Sequence, residues 1–94
     1  MAFVRLAFFP EATAQHYAAL AAAMADVPPP ADRLFFAAGP VEGGWQVVQA
    51  WTSRQALDGF NRTVFFPALA RTGGGGFPRP PSVVDFETAD LAPG

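Results

Sequence analysis

A chain of 94 residues holds one domain and one core, with no room for a second lobe. Hydrophobic residues are 51% of it and charged residues 15%, so a lone subunit would expose wide apolar patches and association is expected. The net charge of −2, with six arginines and no lysine, argues against nucleic acid as a partner, and the lack of cysteine excludes disulfides, reactive thiols and thiolate-held metals.

Residues 2–9 alternate bulky side chains as a strand does, and Phe9-Pro10 closes that strand. The chain opens without a basic leader and cleavage site, and its longest apolar run, residues 17–25, is too short to span a bilayer. A cytoplasmic protein with no membrane partner is expected. Helix one is predicted over residues 10–26: Pro10 suits a first turn, Glu11 suits the positive end of the helix dipole, and alanines supply propensity. Its inward stripe is Tyr17, Leu20 and Met24. Pro28-Pro29-Pro30 then stops it.

A second strand is predicted over residues 34–38, and the glycine-rich link that follows is short enough for an antiparallel hairpin. In the third strand Trp45, Val47, Gln49 and Trp51 share one face, while Gln46, Val48 and Ala50 share the other. Both faces carry apolar groups. Thr52 fits an N-cap, with Gln55 placed to close a capping box, and helix two begins near Ser53. Leu57, Phe60 and Val64 face inward, and Asp58 with Arg62 forms an i, i+4 pair worth about 0.3 kcal/mol if exposed. Pro67 is expected to break the helix and leave residues 67–70 as a separate turn. Gly73-Gly74-Gly75-Gly76 reads as a flexible flap, Phe77-Pro78-Arg79-Pro80-Pro81 as a stiff extended link, and residues 83–88 as the last strand. The domain spans residues 1–88, and residues 89–94 form a tail.

The order β-α-β-β-α-β is that of an α+β, ferredoxin-like fold: a four-stranded antiparallel sheet with both helices on one face. Two helices cover only one face. The other must meet a partner subunit or a ligand.

His16 is the chain's one histidine, so a multi-histidine metal site is excluded and no metal or cofactor is expected. It is either a partly solvated helix-edge residue or a general acid–base group partnered by Tyr17. Trp45 and Trp51 are core fillers or an aromatic wall for a planar ligand, and Phe36 is the phenylalanine best placed to line such a cavity. Asn61 could orient a carbonyl or phenolate. Asp85 and Glu87 share a face of the last strand, where paired carboxylates either divide acid and base roles or form a solvated edge. The four-glycine loop lacks the Lys-Ser/Thr and helix start of a phosphate cradle.

Gly39-Pro40, Gly43-Gly44-Trp45, Trp51-Thr52-Ser53, Phe60, Phe66-Pro67-Ala68-Leu69 and Pro80-Pro81 together resemble the dimeric α+β barrel superfamily, in particular its antibiotic biosynthesis monooxygenase-like proteins. The resemblance implies a homodimer with two facing sheets. Each subunit would hold a pocket between sheet and helices for a flat hydrophobic molecule, such as a polyketide aromatic. Some relatives oxidise phenols without metal or flavin; others cyclise, isomerise or merely bind. This chain has Phe36 where its branch carries a histidine, and helix two lacks the histidine by which haem-degrading relatives hold iron.

The expectation is a cofactor-independent enzyme acting on a hydrophobic, polyketide-like or aromatic small molecule in natural-product biosynthesis, as a cyclase/isomerase or a monooxygenase. Its catalytic candidates are His16, Tyr17 and Asn61, and its substrate-binding candidates are Trp51, Phe36, Trp45 and Phe60. The alternative is a non-catalytic dimeric binding protein. The two differ in whether the pocket holds a polar side chain oriented by a second group.

Overall fold

A computed structural model describes residues 2–72 and 76–91. Residues 73–75, most of the expected flap, lie outside that range. The elements run β1 (Phe3–Pro10), α1 (Ala14–Ala23), β2 (Arg33–Val41), β3 (Gly44–Trp51), α2 (Arg54–Phe60), a π-helical turn (Asn61–Phe65), α3 (Phe66–Arg71) and β4 (Ser82–Glu87). The four strands form one sheet in the order β2-β3-β1-β4, and every neighbouring pair is antiparallel. This is the ferredoxin-like α+β topology expected from the element order. No helix among the described residues is long and apolar enough to cross a membrane.

Helix α1 is shorter than its alanine content suggests. Pro10 remains in the sheet opposite Gly44, and Glu11 turns the chain with φ 64. Thr13, not Pro10, sets the start. Its side chain accepts from the His16 backbone N–H, and the His16 ring Nδ1 accepts from the Thr13 N–H at 2.9 Å. That is a capping box with histidine in the place usually held by Glu or Gln. The helix ends at Ala23 with Met24 as its C-cap, and the chain turns through Asp26 before Val27, where the following proline disfavours helical backbone.

The hairpin between β2 and β3 is tighter than the glycine-rich link suggests, since Gly39-Pro40-Val41 is itself paired strand. Only Glu42 and Gly43 turn, and Gly43 takes φ 82. Any side chain at Gly44 would collide with the Phe9 carbonyl oxygen. Two of the glycines are therefore required by geometry.

At α2 the cap is Ser53, whose Oγ accepts from the Ala56 N–H at 3.1 Å, while Thr52 Oγ1 donates to Asp32 at 3.0 Å. The expected Asp58–Arg62 pair is replaced by Arg54–Asp58, exposed and 3.8 Å apart. Pro67 does not break the helix. The chain widens into the π-helical turn over Asn61–Phe65, which ends two residues before the proline; the Phe66 N–H bonds back to the Asn61 carbonyl, and Pro67 enters the first turn of α3, where an N–H is not needed.

Buried residues form two clusters on the helix-covered side of the sheet. One is Phe3, Trp51 and Leu57; the other is Ala7, Phe9, Ala12, Trp45 and Val47. At the end of the domain Thr88 is buried and exchanges hydrogen bonds with Ala2, at 2.8 Å for its N–H and 3.1 Å for its Oγ1.

Candidate active site

Strand register lays the helix-facing side of the sheet out in rows. Glu87, Phe3, Trp51 and Arg33 form one row, Asp85, Arg5, Gln49 and Phe36 the next, and Val83, Ala7, Val47 and Ala38 the third. A polar row is thus followed by one of small side chains. Above that small row the helices do not fill the space, and a cavity of about 710 Å³ remains. That volume suits a drug-sized molecule. Its floor is Arg5, Ala7, Val47 and Gln49; Tyr17, Leu20 and Met24 wall it from α1, and Phe60, Asn61, Phe65 and Phe66 from the α2–π–α3 run. Pro28-Pro29-Pro30 and Phe77 to Pro81 close the remaining sides. Proline fixes its own φ, so much of this wall is set before any ligand arrives.

Two polar groups on the floor are held by second groups. Arg5 makes a two-pronged ion pair with Asp85, at 2.9 and 3.0 Å. The pair raises the Arg5 guanidinium above its ordinary value, and the Arg5 hydrogen bonds hold the Asp85 carboxyl below the usual carboxylate range. Gln49 Oε1 accepts from Trp51 Nε1 at 2.8 Å, which fixes the amide and leaves its NH₂ as a donor without a partner among the described residues. Arg33 lies over Phe36, with its guanidinium carbon 4.5 Å from the ring centroid. Burial lowers its pKa, and the nearby Tyr17 partly offsets that.

The sequence-derived candidates divide. Tyr17, Asn61, Phe36 and Phe60 line the cavity; His16, Trp45 and Trp51 do not. His16 has its Nδ1 committed to the α1 cap, in an exposed setting. Trp51 is 1% exposed and packs with Phe3, Leu57 and a tilted Phe60 ring, so it supports the wall from behind. Trp45 lies under Tyr17, ring centroids 5.1 Å apart, and its buried Nε1 has no hydrogen-bond partner among the described residues. Asp85 is no solvated edge residue, since its carboxylate is taken by Arg5. Sequence reasoning passed over Arg5, Arg33 and Gln49. Alternation along β1 and β3 does put Arg5 between Phe3 and Ala7, and Gln49 between Val47 and Trp51, on the covered face. A polar residue inside an apolar face was the available signal.

No protein-family model and no curated protein sequence matches the chain. Among solved structures it is similar to Rv0793 from Mycobacterium tuberculosis, with a TM-score of 0.66 and 23% identity over 98% of each chain. It is also similar to a protein from Caulobacter crescentus provisionally named an antibiotic biosynthesis monooxygenase, with a TM-score of 0.71 and 16% identity over 95% of this chain and 91% of that one. A dimeric ferredoxin-like protein of unknown function from Jannaschia matches with a TM-score of 0.56 and 20% identity, over 93% and 98%. The chain shares their fold. That likeness runs nearly the full length of each chain, so the cavity lies within the shared architecture and not in an appended segment.

Proposed function

We propose that the protein is a cofactor-independent enzyme acting on a flat, hydrophobic, polyketide-like or aromatic small molecule, as a monooxygenase or a cyclase/isomerase. The carrying observation is the cavity of about 710 Å³, walled by aromatic rings and prolines, with two polar floor groups each oriented by a partner. A binder needs only rings and methyls, whereas oriented donors beneath the ligand can stabilise developing negative charge. The provisional monooxygenase name of the Caulobacter protein supports the same reading. Tyr17 and Asn61 face the bound molecule, Phe36 and Phe60 hold its plane, and Trp51 and Trp45 back the walls. His16 caps α1 and takes part only if its ring leaves that cap.

For oxygenation the protein needs to supply little. A substrate held as its enolate or phenolate passes electrons to O₂, a C–O bond forms, and the resulting peroxide loses water. The net change is CH₂ + O₂ → C=O + H₂O. Orientation and charge stabilisation are what the walls and floor contribute.

A second copy of the chain belongs to the working unit. The uncovered sheet face presents Phe35, Val84 and Phe86, each about half exposed, with Leu6, Phe8 and Val48 between them. A homodimer with the two sheets facing would bury them, and the dimeric ferredoxin-like Jannaschia protein supports that arrangement.

The test is oxygen uptake by the purified protein with an anthrone, whose methylene becomes a carbonyl. The expected result is one O₂ consumed per anthrone at a rate proportional to protein, and loss of that rate in Ala21→Trp, which narrows the cavity from an exposed position on α1. Saturable binding without uptake, and without cyclised or isomerised product, would assign the cavity to a non-catalytic binding protein.

A further inference from the structure

The chain carries a net charge of −2, yet three of its six arginines, Arg5, Arg33 and Arg79, line this one cavity, and no carboxylate does among the described residues. The three are not equivalent. Arg5 is neutralised from behind by Asp85. Arg79, out at the mouth, pairs with Glu11, and both side chains are mostly exposed. Arg33 has no carboxylate within 4.0 Å among the described residues; it is half-buried and its guanidinium sits over the Phe36 ring. It keeps its charge, because arginine does not deprotonate in proteins. A half-buried cation without a counter-ion has lost part of its hydration, and the face of the Phe36 ring returns attraction to the charge but no hydrogen-bond acceptor for its N–H groups.

The geometry points to Arg33 as the anchor for an anionic group, a carboxylate or a similar acid, carried by the aromatic ligand. This deepens the proposed function and rests on it, naming the charge class of the molecule that the cavity takes. Arg33 occupies the row next to Gln49, whose NH₂ is the free end of a fixed amide, and Tyr17 lies near enough to act on it electrostatically. A carboxylate beside Arg33 would accept from a planar fork of donors while the rest of the ligand lay over Val47 and Ala7. The acid would end at the β2 edge and the hydrophobic body would reach under the helices. The ligand's orientation follows from that placement.

The experiment compares 2-naphthoate with its neutral isostere 2-naphthamide by titration calorimetry, on the wild-type protein and on Arg33→Met, Arg33→Lys and Ala21→Trp. Thermal melts confirm that each variant is folded. The wild type should bind naphthoate at least tenfold more tightly than naphthamide. Arg33→Met should abolish that preference while leaving naphthamide affinity within about twofold, and Arg33→Lys should keep part of it. Ala21→Trp should weaken both probes, placing them in the cavity. Equal affinities in the wild type, or a preference that survives Arg33→Met, would overturn the assignment of Arg33 and leave the aromatic cavity standing. Failure of both probes to bind would overturn the cavity reading and this inference together.

Discussion

Asp85 does not line the cavity, but it decides how Arg5 is presented to it. Its carboxyl pKa lies below the usual range because Arg5 hydrogen-bonds to the ionised form. A depressed folded pKa means that the unfolded state takes up protons first as pH falls. The pair therefore stabilises the fold above the unfolded value, about 3.9, and that contribution fades as pH drops through the depressed folded value. Asp85→Asn should cost about 1–3 kcal/mol in urea unfolding at pH 7, and the gap from wild type should be smaller at an acidic pH below about 3.9. An equal gap at both pH values would mean that the pair contributes through packing and not through charge. At this scale the sequence was half legible. Strand alternation places Arg5 and Gln49 on the covered face, but their partners, Asp85 across 80 positions and Trp51 two residues on, follow only from the register and the rotamer. His16 shows the converse: Thr13-x-x-His16 has capping-box spacing, but histidine is an unusual closer, and a lone histidine beside a tyrosine draws a catalytic reading.

The α2–π–α3 run is the element that shapes the cavity. One continuous helix would carry a single stripe. The π-helical turn resets the stripe by adding a residue to one turn, so that Asn61, Phe65 and Phe66 all reach the wall. Leu57 anchors the run, being fully buried against Phe3 and Trp51. Leu57→Ala should destabilise the protein by about 2–5 kcal/mol in chemical denaturation, the usual cost of emptying a packed site. A loss well under 1 kcal/mol would mean that this helix is held mainly by α3, through contacts such as the hydrogen bond from Arg71 to the Ala23 carbonyl. The sequence correctly marked Leu57 and Phe60 as inward. It could not reveal the π-helical turn, because Pro67 signals a break by its missing N–H, and only the backbone geometry shows that the missing bond is absorbed.

Taken whole, the molecule divides its sheet into a helix-covered face and an uncovered one, to which the proposed function gives different work. The β-α-β-β-α-β order and the apolar groups on both faces of β3 were enough to read this division, since two helices can cover one face only. What the order could not give was the cavity, which lies over Val83, Ala7 and Val47, three small side chains in one row across three strands. On the uncovered face, light scattering at micromolar concentration should return a dimer mass, and Val84→Glu, at a position 59% exposed in the single chain, should return a monomer that is still folded. A monomeric wild type would leave that apolar face without the partner proposed for it. The two-face division itself is tested most directly by an amide chemical-shift titration of the labelled protein with 2-naphthoate. The prediction is saturable shifts clustered at Ala7, Val47, Gln49 and Asn61, with Phe35, Val84 and Phe86 unmoved. Shifts confined to Phe35, Val84 and Phe86 would place the ligand on the other face and contradict the division.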